Sequence, residues 1–355
     1  MGLSKKATIY AVACHCGVST ATVSRIMSDS TFAKATTRER VFSAAQELGW
    51  VPNGAARSLA SSKAGIVGLI FPDLGQSGAT EDESPLYVDE VIRGAERAAS
   101  LAGEAVLIAA TRGASGRDLV RSIVGKVDGL VVMAGSLSDK DLASISKIVP
   151  VVLLASLPGR RVLDHVGVDN RGGARQITAH LVETHGYREL AFVGGPPSSP
   201  DSAERFAGFC EVLASAGIQP PESPDAYGNF TEEGGAEAMR RLLLSGRRLR
   251  AVVFGNDEMA IGALRTLRRA RVRVPGDVAL TGFDDISSSR RVNPSLTTVR
   301  QPMRELGERS VDMLLTRLGD LSIPRQVMTL PTAAVMRRSC GCRSIDSTRT
   351  TRSTT

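Results

Sequence analysis

Histidine is scarce in this chain, at four of 355 residues, and none of the four (His15, His165, His180, His185) sits in a recognisable acid–base or triad motif. The sequence also lacks a G-x-G-x-x-G turn after a first strand, a P-loop and the G-x-S-x-G elbow of a serine nucleophile. These absences argue against an enzyme on a doubly wound scaffold, so neither catalysis nor a cofactor is expected. Cysteine is nearly as rare, with Cys14, Cys16, Cys210, Cys340 and Cys342 making an odd total. Because MGLSKKATIY contains no apolar leader, reduced thiols and a cytoplasmic location are expected rather than a disulfide framework. Cys14-His15-Cys16 has metal-binding residue types, but adjacent helical positions point in different directions and cannot converge on one ion. Cys340-Gly-Cys342 sits near the frayed end and reads as inert, so no metal is expected. No apolar run approaches the length that crosses a bilayer. A hydrophobic content of 42% with mean hydropathy near zero is that of an ordinary soluble protein with ample core.

What is present concentrates near the N-terminus. Residues Thr8 to Ser28 read TIYAVACHCGVSTATVSRIMS. Ile9, Val12 and Ala13 recur at helical spacing, Gly17-Val18-Ser19 interrupts, and Val23 and Ile26 resume the pattern. Two short helices joined by a tight glycine turn make a helix-turn-helix, whose second helix lies in the DNA major groove. Ser19 suits the N-cap of that helix. Its outer face carries Thr20, Ala21, Ser24 and Arg25, the last able to grip guanine bidentately. A third helix is expected next, opened by a capping box at Thr36-Thr37-Arg38-Glu39 and closed at Gly49. Through Lys63, eight basic residues stand against three acidic ones, a net +5. That excess suits phosphate contacts, which give affinity without sequence information.

From Gly65 onward the pattern changes. Short apolar runs at 67–71, 105–109, 129–133 and 149–153 alternate with helical stretches such as Val88–Ala102 and Ser115–Lys126. The pattern restarts at Val166-Gly-Val168 and continues through 190–193, 251–254 and 278–281. Continuous apolar strands between amphipathic helices mean parallel sheets covered on both faces. The fold class is therefore α/β: an all-α helix-turn-helix headpiece followed by two doubly wound subdomains, with ligands at the carboxyl ends of the strands.

GVSTATVSRIM, then TRERVFSAAQELGWVPNGAARSLASSK, resembles the headpiece of LacI/GalR-type bacterial transcription regulators. The resemblance continues in order through GLIFPDL, VDGLVV, VGVDNRGGA, RFAGF, VVFGNDEMAIGAL, LTGFDD and PSLTTVRQP, from Thr8 to about Arg338. It implies a headpiece over 1–52, a hinge helix or linker over 53–64, an effector-binding and dimerisation domain over 65–338, and a disordered tail over 339–355. Within 65–338 it implies a periplasmic-binding-protein-like fold, with an N-subdomain at about 65–162 and 296–326 and a C-subdomain at about 163–295 and 327–338. The three crossings would fall near Pro158–His165, Asn293–Thr297 and Gln326–Leu330. DNA contacts are implied for Thr8, Ser19, Thr20, Ala21, Thr22, Ser24, Arg25, Asn53, Arg57 and Leu59, with Leu59 wedging into the minor groove. Effector contacts are implied for Arg205 and Asp284, then Asn256 as amide, Phe230 as stacking surface and Arg112 as closure from the N-terminal side. An arginine and a carboxylate converging on one cavity suit a polyhydroxylated or heterocyclic ligand.

Three departures qualify the resemblance. Ala155 in VVLLASLPG stands where the family usually has an aspartate, which removes a hydroxyl acceptor. The loop GQSGATEDESPLY is extended and acidic, and Ala11 leaves the first helix without the acidic half of its capping box. The implied function is a sequence-specific transcriptional regulator, expected to repress, that binds a palindromic double-stranded operator as a homodimer under control of a sugar or related polar metabolite. The alternative is a solute-binding protein that captures a polar ligand without regulating anything. Because the tail after Arg338 has no heptads, no coiled-coil tetramer is expected, and no membrane partner is implied.

Overall fold

The computed structural model describes residues 7–28, 31–51, 63–72, 86–111, 116–154 and 163–342, and the chain divides into two compact units, Met1–Gly65 and Ile66–Thr355. Asn53, Arg57, Leu59, residues 75–85 of the acidic loop, Arg112 and Ala155 lie outside the described residues.

The first unit holds three helices, α1 (Ile9–Cys16), α2 (Thr20–Ser28) and α3 (Ala35–Glu47). Thr8 caps α1 by accepting from the Ala11 amide, and Gly17, in the left-handed region at φ 60°, closes it. The Ser19 hydroxyl accepts from the Thr22 amide at 3.1 Å, so the expected cap of α2 forms. Val12, Ala13, Cys16, Val23, Ile26, Val41, Ala44 and Ala45 make one buried core, with Trp50 and Leu48 packed against it. The capping box expected at Thr36 does not form. Helix α3 begins two residues earlier, at Ala35, with Lys34 rather than Thr36 as N-cap and no side-chain cap bond. Thr36 is thus already inside the first turn, where its hydroxyl cannot reach the orphan amides.

The second unit is built on two parallel sheets. Strands β1 (Ile66–Pro72), β2 (Ala105–Thr111), β3 (Gly129–Met133), β4 (Val151–Leu154), β5 (Asp164–Val168) and β11 (Val327–Leu330) form a six-stranded sheet in the order β11-β5-β4-β3-β1-β2. Strands β6 (Leu190–Gly194), β7 (Ala226–Tyr227), β8 (Ala251–Phe254) and β9 (Ala279–Thr281) form the other, in the order β7-β6-β8-β9. Antiparallel β10 (Thr298–Arg300) and β12 (Ala333–Val335) lie beside the second sheet, bridged to it at Thr281–Thr297. Central strands such as β4, β6 and β8 are buried along their whole length, as expected for sheets covered on both faces. On the first sheet, α4 (Leu86–Leu101) and α11 (Met303–Gly319) meet backbone to backbone. A Cβ on Gly94 would stand 1.9 Å from the Arg304 carbonyl, and one on Gly307 would stand 2.1 Å from that of Val91.

Sheet membership moves the subdomain boundaries. The restart expected at Val166 comes one element later, because β5 pairs with β4 and β11 in the first sheet. Residues 327–330 likewise belong to the first subdomain, and 298–300 to the second. An apolar run reports burial on both faces, not which sheet buries it. The chain crosses between subdomains between Val168 and Asn170, between Arg300 and Met303, and between Leu330 and Ala333. The first and third crossings are laced together, since Asp169 donates its amide to the Leu330 carbonyl and accepts from the Thr332 hydroxyl. Beneath them Arg317 donates to both carboxylate oxygens of Asp164, at 2.8 and 2.9 Å, and to the carbonyls of Leu321 and Pro324. The tail also begins later than expected, because Ser339 and Cys340 are fully buried.

Candidate functional sites: recognition helix and inter-subdomain cleft

The second helix of the headpiece divides cleanly into two faces. Val23 and Ile26 are buried in the core, whereas Ala21, Ser24 and Arg25 are exposed and Thr20 and Thr22 half-buried. Thr8 and Ser19, at the two helix starts, are exposed as well. The Arg25 guanidinium lies 5.5 Å from the centre of the Phe32 ring, which steadies a long side chain without consuming its fork. Tyr10, absent from the sequence-derived set, is 74% exposed on α1. A large ring left in water beside the buried Val12 and Ala13 was visible only as a break in periodicity. Cys14 is exposed and Cys16 buried, so the two thiols of that trio lie on different faces.

In the second unit, Arg205 projects from α8 (Pro200–Ser215) and is 5% exposed. Its Nε donates to Asn170 Oδ1 at 2.7 Å, and Nη1 donates to the Gly255 carbonyl. Its guanidinium lies 3.8 Å from the Phe283 ring centre and 5.8 Å from that of Phe230. Asp284 follows the end of β9, and its Oδ1 is 3.5 Å from Arg205 Nη1. Its φ of 117° is a strained, left-handed conformation for an aspartate, the kind that surrounding structure must enforce. Gln301, just past β10, donates its amide to the same oxygen. The Gln301 Oε1 atom is buried and has no hydrogen-bond partner among the described residues. Burial pushes the Asp284 carboxyl up to about 6, against Arg205 and Gln301, which favour the ionised form, and with Asp201, which disfavours it.

The remaining predicted residues take different places. Asn256 caps α10 (Asp257–Arg269) through Oδ1, and its Nδ2 donates to the Phe230 carbonyl at 3.0 Å. Its polar atoms therefore hold the site's frame. Phe230 lies flat over Gly195, where a Cβ would meet its ring at 2.2 Å. Sequence reasoning did not single out Asn170, Asp201, Gln301 or Tyr87. Asn170 joins Arg205 to Asp201, donating to the latter's Oδ1 at 2.8 Å. From α4 of the first subdomain, Tyr87 feels the same cluster: burial and the charges of Asp201 and Asp284 raise its hydroxyl pKa, and Arg205 lowers it. The cluster lies at the carboxyl ends of the second sheet's strands, on residues that follow β6, β8 and β9. It presents a guanidinium, a carboxylate and an unsatisfied amide oxygen, which together suit a ligand carrying hydroxyl or N–H donors and acceptors.

Residues 8–53 match the model of "Bacterial regulatory proteins, lacI family", and residues 178–340 match that of a periplasmic binding protein-like domain. The catabolite control protein A of Priestia megaterium is 31% identical over 94% of this chain and 98% of its own length. The regulator CelR of Thermobifida fusca is 34% identical over 94% and 98%. Among solved structures, the lac repressor dimer bound to operator and the anti-inducer ONPF superposes with a TM-score of 0.83, at 28% identity over 95% and 99% of the two chains. The CelR–cellobiose complex superposes with a TM-score of 0.71, at 31% identity over 94% and 100%. Among the described residues, no helix is long and apolar enough to cross a membrane.

Proposed function

Because this chain belongs to the LacI family of bacterial regulatory proteins, we propose that it is a cytoplasmic, dimeric repressor whose hold on operator DNA is set by a small polar metabolite in the Arg205–Asp284 cleft. The observation that carries the reading is the presence, in one chain, of an exposed recognition helix and a buried guanidinium–carboxylate pair with an unsatisfied amide oxygen beside it. A recognition helix reads only a few base pairs, so specificity calls for two half-sites and a two-fold dimer. The dimer contact would come mainly from helices of the regulatory domain, with 88–102 and 264–271 the leading candidates; both also bury apolar residues within one chain, among them Val91, Ala95, Leu264 and Leu267. Strand β2, at the sheet edge with Ile108 half exposed, offers an adjoining apolar face. The effector class is a sugar or related metabolite, in keeping with relatives described as a cellobiose complex and a ribose operon repressor.

The test uses the whole protein. Gel shift against genomic fragments is expected to isolate a palindromic operator, and a thermal-shift screen of sugars, nucleosides and amino acids is expected to find a ligand that raises the Tm and alters operator affinity. Arg25→Ala is expected to cost about 1–3 kcal/mol of operator binding while leaving random-DNA affinity in place. A protein that binds no fragment above random, with or without ligand, would exclude the regulatory reading.

A further inference from the structure

We propose that His180, His185, Cys340 and Cys342 form a structural zinc site that clamps the C-terminal segment onto the second subdomain. One donor atom from each of the four lies within 4.8 Å of all the others. His180 Nε2 stands 3.1 Å from His185 Nε2, 3.5 Å from Cys340 Sγ and 3.4 Å from Cys342 Sγ. Cys342 Sγ stands 3.6 Å from His185 Nε2. For a tetrahedron with Zn–N of about 2.0–2.1 Å and Zn–S of about 2.3 Å, the N–N edge is about 3.3 Å and the N–S edge about 3.6 Å. The four edges fit that figure. Hydrogen bonding among the side chains accounts for them less well. An imidazole Nε2 holds either one proton or one lone pair, so His180 Nε2 cannot satisfy three partners at once. A cation at the centre satisfies all of them, and a tetrahedral S₂N₂ donor set points to zinc.

The local backbone explains how residues so spaced converge. Helix α7 (Asn170–Ala179) passes at its end into a π-turn over His180–Thr184. In an ordinary α-helix, positions five apart face away from each other, whereas the wider i→i+5 turn brings His185 back toward His180. The single residue between the cysteines is shorter than the usual zinc spacer. Gly341 makes it workable, because at φ 106° it reverses the chain so that both sulfurs face one point. Neighbouring groups hold the donors in place. The Thr297 hydroxyl donates to Cys340 Sγ at 3.1 Å, the Tyr187 hydroxyl donates to the Cys340 carbonyl, and the Tyr187 ring stacks on His185. With four protein ligands, one of them fully buried, no coordination position is left for a substrate, and the role is structural. The clamp lies next to the cleft's supports. Ser339, one residue before Cys340, ties the Leu280 carbonyl of β9 to the Thr297 amide before β10.

The experiment is metal analysis of the reduced full-length chain, purified without a histidine tag or chelator from cells grown in zinc-supplemented medium. Stoichiometric zinc is expected by mass spectrometry in the wild type and in Cys210→Ser, whose thiol lies outside the cluster. Loss of that zinc is expected in the Cys340→Ser/Cys342→Ser double variant. Cobalt loaded into the metal-free wild type is expected to show the visible bands of a tetrahedral ion and thiolate charge transfer in the near ultraviolet. Should the double variant fail to fold, this spectrum decides the matter alone. Absent zinc together with a featureless cobalt spectrum would overturn the proposal. So would zinc retained by the double variant, or an intact mass two hydrogens light from a Cys340–Cys342 disulfide.

Discussion

Asp284 is a residue whose surroundings alter its chemistry. Burial lifts its carboxyl to about 6 although Arg205 and Gln301 both favour the charge. A ligand's hydroxyl or N–H donors require the ionised acceptor, so effector affinity should fall below about pH 6, by up to about tenfold per pH unit. Titration calorimetry from mildly acidic to neutral pH checks this, and Asp284→Asn should flatten the profile. A wild-type profile equally flat would remove the carboxylate from the binding reaction. The stability term has the opposite sense. The native state binds this proton more tightly than the unfolded chain, so the contribution is present at low pH and is lost as pH rises through about 4 to 6. Arg205 and Asp284 were legible because RFAGF and GFDD carry them as motifs. Asn170 and Gln301 lay inside recognised motifs too, yet nothing in the sequence says that their amides meet the same pair. Cys340 and Cys342 read as inert because their partners lie far away in sequence, and one of these, His185, reaches them through a π-turn that periodicity does not reveal.

At the level of elements, strands and helices were largely legible from apolar runs and caps, while the pairing of strands was not. Strand β5 follows a strand of one sheet and precedes a helix of the other, and its apolar composition suits both. What settles its place is partly ionic. Burial works against the Asp164 charge, but hydrogen bonds from Arg317 and the Gln326 amide, with the charges of Arg317 and Arg325, hold its carboxyl below the usual range. Both side chains of the Asp164–Arg317 pair are almost wholly buried. Arg317→Met leaves that carboxylate without its fork and frees the carbonyls of the turn after α11, at an expected cost of about 3–5 kcal/mol. Urea denaturation measures it, and a loss under about 1 kcal/mol would place the pair among weak surface bridges. Replacing Asp164 by leucine in the same chain should recover much of the loss, since the stranded charge goes with it.

For the molecule as a whole, regulation requires that ligand and DNA bias one two-state equilibrium, and the coupling is then reciprocal. The link expected from the family resemblance runs through the segment around Leu59, which lies outside the described residues. The sequence places few apolar residues in Asn53–Ser62, and the expectation that it orders when operator binds comes from the family resemblance. Leu59→Ala should abolish the bend measured by circular-permutation gels while non-specific affinity survives, because an inserted leucine is what unstacks the central step. An unchanged bend angle with unchanged operator affinity would show that the segment is only a tether.

The order in which the ribosome delivers these elements sets a further condition on them. The headpiece core draws on no residue beyond Trp50. Neither half of the second unit enjoys that advantage, because β11 completes the first sheet and β12 covers β10, and both come from residues 327–335. Until those nine residues leave the exit tunnel, β5 and β10 present open edges, and such edges invite pairing with other chains. On a nascent chain the DNA-reading module can therefore fold well before the two subdomains that govern it, which wait for residues 327–335.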